Sequence, residues 1–139
     1  MRNAFAAAVI GLVGLSGLAV VNAGEKPPAA FVKAMKTLNA AVQGMAKANS
    51  SGVYTDVKTD AAAARDALDV VVQFWDTKKN ASAMDFAKEA IKATSDLETA
   101  AGEDSKEGVE FALKQIQGNC AACHAAHREA LPDGTFEIK

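Results

Sequence analysis

The sequence predicts an all-α chain folded as an antiparallel, up-down-up-down four-helix bundle. Three observations carry this. Apolar residues recur at alternating steps of four and three along four segments, which is the 3.5-residue seam of a left-handed bundle. Prolines are confined to Pro27, Pro28 and Pro132, so none interrupts the chain between the second and the third. Alanine, the strongest helix former, is abundant, while Trp and Tyr occur once each. Helices of roughly 20 residues joined by short connections pack antiparallel to their neighbours.

The first seam holds Phe31, Met35, Leu38, Val42 and Met45. Pro27-Pro28 suits its first turn, and Asn49-Ser50-Ser51-Gly52 breaks it. The second holds Val57, Ala61, Ala64, Leu68, Val71 and Trp75, with Thr55 or Asp56 as its cap. The third is less regular: Phe86, Ala90, Ala93, Leu97 and Ala100, opened by Asn80 and closed by Gly102. Its small alanines either leave room for a bulky group or simply favour helix. The fourth holds Val109, Leu113, Ile116, Cys120, Cys123 and His127, and Asp104 with Glu107 resembles a capping box before it.

Residues 1–23 read as a cleaved signal peptide. Arg2 precedes an apolar run from Ala4 to Val21, and Val21-Asn22-Ala23 offers small residues before a cut. The run is short and weakly apolar for a membrane span. Export to a bacterial periplasm is therefore expected, with residues 24–139 as one mature domain. That part keeps 14 basic and all 17 acidic residues, for a formal charge of −3. Such a balance disfavours nucleic acid and anionic membrane surfaces as partners.

Both cysteines of the chain fall in Cys120-Ala121-Ala122-Cys123-His124. Cys-x-x-Cys-His is the attachment pattern of c-type haem. Thiols three positions apart share one face of a helical turn, where they can add to two vinyl groups on one porphyrin edge. The next residue, His124, then reaches the iron as an axial ligand. Other readings fit less well. A redox Cys-x-x-Cys normally follows a strand, and no strand pattern precedes Cys120. A disulfide between Cys120 and Cys123 sits poorly inside a continuous helix. Four zinc donors, Cys120, Cys123, His124 and His127, cannot easily surround a metal tetrahedrally from one helix. Both cysteines occupy seam positions, so the haem would lie inside the bundle, edge-on to the fourth helix.

Helix count and motif position resemble the class II c-type cytochromes, the cytochrome c′ family. That family's pattern continues past the His with two variable residues, an aromatic and an Arg. Here the continuation is Ala125-Ala126-His127-Arg128. Arg128 matches, and His127 departs from the aromatic. The resemblance implies one covalent haem c on Cys120 and Cys123, with His124 as proximal iron ligand. Arg128 would meet a haem propionate or tune the imidazole, unless it is a solvated helix-end cation. His127 would contact a propionate or simply pack. The tail 131–139 extends past the family's usual end, turns at Pro132-Asp133-Gly134, and can fold back through Phe136 and Ile138.

In that family the first helix supplies the residue opposite the proximal His, and its nature separates electron carriers from gas binders. Met35, Met45 and Met84 compete here, and alignment of the first helix selects Met35. A Met ligand implies a low-spin iron built for electron transfer with redox partner proteins. A Met35 that only packs as a seam residue leaves an open iron that takes small gases such as CO or NO. An enzyme is not expected, since no nucleophile–base set and no phosphate-binding loop are present. The family's dimers point to Val70, Val72 and Phe74 as a face for a possible homodimer.

Overall fold

The computed structural model describes residues 24–139, so the segment 1–23, expected to be a signal peptide, lies outside the described residues. Four helices dominate: α1 (Ala29–Ser51), α2 (Tyr54–Thr77), α3 (Ala81–Gly102) and α4 (Lys106–His127). Connections of two or three residues force each helix to reverse on the last. Each helix packs on its chain neighbour, and α1 meets α4 to complete the ring, less closely than the other pairs. That loose α1–α4 seam positions the site.

The ends of the helices follow local chemistry, with four departures from expectation. Asn80 caps α3 as expected, its side chain accepting from Ala83 N–H at 3.1 Å. Pro28 is the cap of α1 rather than a residue of its first turn. α2 starts one residue before Thr55, after Val53 and without a side-chain cap. Asp56 instead sits in the first turn, where its charge suits the positive helix end. Gly102 is the last helical residue of α3, and Asp104 takes the left-handed conformation (φ 51°) in the turn. Ser105 therefore caps α4 in place of Asp104, accepting from Gly108 N–H at 3.2 Å. α1 ends where Gly52 adopts φ 70°, a conformation that side chains resist.

The α2 seam is buried throughout: Val57, Ala61, Ala64, Leu68, Val71 and Trp75. Along α1 the seam splits. Phe31, Leu38 and Met45 are buried with Ala34, Ala41 and Ala48 beside them, whereas Met35 and Val42 are only half-buried. α4 splits lengthwise: Val109, Leu113 and Ile116 are buried, while Cys120, Cys123 and His127 are half-buried. In α3, Phe86 and Ala100 are half-buried, and Ala83, Ala87 and Ala101 join the core. Two effects produce the splits. A straight helix drifts from a 3.5 repeat, and α1 stands off the last turns of α4.

The end of the bundle that gathers the start of α1 and the ends of α2 and α4 is aromatic. Phe31, Phe74 and Trp75 lie within 4.5–6.1 Å of one another, and His127 sits 5.3 Å from Trp75. Phe74 and Val72 pack against the core, which leaves Val70 as the exposed member of the expected dimer face.

The chain is not wholly helical. β1 (Arg128–Ala130) and β2 (Phe136–Ile138) form an antiparallel hairpin, with Arg128 opposite Ile138. Gly134 (φ 81°) supplies the turn, and Asp133 accepts from Thr135 N–H at 2.9 Å. The fold-back of Phe136 and Ile138 is thus a paired strand, and Ile138 packs against the core.

Candidate functional site

The last turns of α4 stay helical because Ala121, Ala122, Ala125 and Ala126 cost little to order. Cys120, Cys123 and His124, at i, i+3 and i+4, therefore share a face. That face opens on a cavity of ≈ 280 Å³ bounded by all four helices. Its apolar walls include Leu38 and Val42 of α1, Leu68 and Val71 of α2, and Phe86 and Ala90 of α3. Amides mark its edge: Asn39, Gln43, Gln117 and Asn119.

A second cavity, of ≈ 410 Å³, lies at the aromatic end. Pro27, Phe31, Val32, Lys36 and Trp75 line it, together with His127, Arg128 and the tail residues Phe136, Glu137 and Ile138. Met35, Asn39, Cys123 and His124 line both cavities. The two spaces meet at those residues, between α1 and α4. Such volumes exceed what a tightly packed bundle is expected to leave.

Burial sets the electrostatics. The Cys120 thiol is pushed up in pKa by desolvation. The Cys123 thiol is pushed up to about 11, first by burial and then by its neighbour Cys120. His124 is held below its ordinary value, first by burial and then by the Arg128 guanidinium. Its neutral imidazole, the ligating form, is thereby favoured. Cys120 and Cys123 are not joined in a disulfide.

The expected residues divide as follows. Cys120, Cys123 and His124 converge on the first cavity, and Met35 faces the same space from α1. Met45 is fully buried in the core, and Met84 packs against the core outside both cavities. Arg128 is placed differently from the helical position expected of it. α4 ends at His127, and Arg128 is extended (φ −125°), its guanidinium 3.7 Å above the Phe136 ring. It still lines the second cavity with His124.

His127 packs. Its Nε2 lies 3.0 Å from Ser82 Oγ, and Asn80 Nδ2 lies 3.5 Å from its Nδ1. Ser82 Oγ in turn donates to Asn80 Oδ1 at 3.2 Å. One assignment satisfies all three contacts: Nε2–H donates to Ser82, and Nδ1 accepts from Asn80. His127 thus ties the end of α4 to the cap of α3.

Sequence reasoning missed the amide edge and the wall formed by the tail. Met35, Asn39 and Gln43 stand at i, i+4 and i+8, so a polar stripe beside the seam was a readable sign. It also missed Trp75, whose buried Nε1–H has no hydrogen-bond partner among the described residues.

The residues present fit a covalently held haem. Two thiols on one helical face adjoin a neutral-favoured imidazole, on a largely apolar cavity that the Met35 thioether of α1 also lines. Among the described residues, no three His, Cys, Asp or Glu side chains converge on a bare metal ion. No helix among the described residues is long and apolar enough to cross a membrane. Comparison with protein-family models, curated proteins and solved structures finds no match to this chain.

Proposed function

We propose that this chain is an exported c-type cytochrome that carries one covalent haem and transfers electrons between redox partner proteins. One observation carries the reading: the Cys120/Cys123/His124 face and Met35 line the same cavity. Cys120 and Cys123 would hold the porphyrin covalently, His124 and Met35 would ligate its iron, and Arg128 would serve its carboxylates. The haem supplies the redox chemistry, and the protein sets ligation, dielectric and access. Leu38, Val42, Leu68, Val71 and Phe86 would keep water from the iron. The neutral form of His124 suits ligation, and a thioether ligand raises the potential.

A second reading has one observation in its favour. The space beside Met35 extends into the second cavity, which would give a small gas room at an open iron if Met35 only packs there.

The test of the first reading is the mass of the mature chain made in a host that matures c-type haem. The expected result is one haem covalently added, lost in the Cys120→Ala, Cys123→Ala double variant. An unmodified mass in the parent chain contradicts both readings.

A further inference from the structure

The segment before α1 and the end of the tail meet at the second cavity. Glu25 N–H donates to Ile138 O at 2.9 Å, and Ile138 N–H donates to Glu25 O at 2.8 Å. Gly24 comes so close that a Cβ added there would lie 2.7 Å from Cβ of Glu137. The Glu25 carboxylate also pairs with Lys78, just past α2. Both partners are substantially exposed, so that pair contributes little energy and mainly fixes direction. On its other edge the tail pairs with β1 and with the last residue of α4: Lys139 N–H donates to His127 O at 3.2 Å, and Arg128 stacks on Phe136.

The strand so held is a wall. Phe136, Glu137 and Ile138 line the cavity that also contains Met35, Cys123 and His124, and Pro27 lines it from the segment before α1. No tail residue lines the first cavity, so the wall guards one approach. Phe136 and Ile138 give it bulk, which opposes ring-sized molecules more than diatomic ones. Its fastening is weak. On the Glu25 side it rests on two backbone hydrogen bonds and one exposed ion pair, against the full β1 ladder on the other side, so the Glu25 contact can open without global unfolding.

We propose that the Glu25–Ile138 clasp is an access gate, which keeps ring-sized ligands from the Met35 side of the site while admitting diatomic ones. The gate rests on the haem reading for its purpose, but not for its geometry.

The test compares haem-loaded Met35→Ala, whose iron is open on that side, with the same chain carrying Glu25→Pro. Proline removes the Glu25 N–H and the carboxylate together. Imidazole is the large probe and CO the small one. Loss of the Glu25 N–H bond, together with the exposed Lys78 pair, predicts imidazole binding faster by roughly fivefold, with CO changed less than about twofold. Unchanged rates for both, with amide exchange at Ile138 accelerated to prove the pair broken, would overturn the gate. Ile138→Pro removes the opposite donor and serves if Glu25→Pro does not fold. If no chain carries haem, the haem reading fails separately, and the thiols of the folded chain report instead. Cys123 lines both cavities and Cys120 only the first. The gate predicts that Glu25→Pro speeds thiol labelling at Cys123 and not at Cys120; equal behaviour of the two would overturn it.

Discussion

Met35 on α1 and His124 on α4 face the same two cavities across the loosest seam of the bundle. Thioether and imidazole are the ligand pair of electron-carrying c-type haems. Replacing Met35 with Ala should convert the ferric spectrum from low-spin to high-spin and allow CO to bind. Since Met35 is half-buried, its loss should cost less stability than a core truncation. An unchanged low-spin spectrum in Met35→Ala removes the residue from the iron.

Met45 is the control. It is fully buried, less than one helical turn past the cavity-lining Val42 and Gln43, and lines neither cavity itself. Met45→Ala should destabilise the protein by about 2–5 kcal/mol through the cavity it leaves, with the haem spectrum retained. Urea denaturation with an absorption spectrum checks both halves of this prediction.

His124 gives the haem-free chain a pH dependence. Its folded pKa lies below the ordinary value of 6.5, so the unfolded state binds the proton more readily. The stabilisation is complete above the unfolded pKa and is lost as pH falls below it toward the folded value. Denaturation midpoints of the parent at pH 7.5 and 5.5 should therefore differ more than those of His124→Gln. Equal pH dependence in the two chains contradicts the assignment.

The thiols of the haem-free chain should be slow. With Cys123 pushed up to about 11 and Cys120 also raised, both are protonated at pH 8, and the thiolate is the nucleophile. Alkylation should lag behind that of free cysteine and accelerate steeply as pH rises toward 11. Fast labelling at pH 8 would show that the site is open to solvent.

Asn80 does two jobs, capping α3 through Ala83 N–H and contacting His127. Asn80→Ala should cost about 1–2 kcal/mol from the lost cap alone. Ser82→Ala, which leaves that cap, should cost less and loosen the end of α4. Melting temperatures of the two variants order the contributions.

Helix number, the α2 seam and the motif on α4 were legible because periodicity and Cys-x-x-Cys-His are local patterns. Caps at Ser105 and Val53 slipped by one or two residues because neighbouring polar residues compete for the same backbone donors. Whether Met35 and Val42 line a cavity or fill the core depends on how far α1 stands from α4, which no local pattern encodes. The tail was legible as a turn at Pro132-Asp133-Gly134. Its pairing with Glu25 was not, since that contact joins segments 113 residues apart in the chain. Arg128 was misplaced for the same reason: its partner Phe136 draws it off the helix.

The absorption spectrum of the reduced, haem-loaded mature chain, recorded before and after CO, tests the central claim most directly. A His124/Met35-ligated electron carrier predicts a low-spin covalent haem whose spectrum CO leaves unchanged. A rapid shift on adding CO would contradict that ligation and make this an open, gas-binding site.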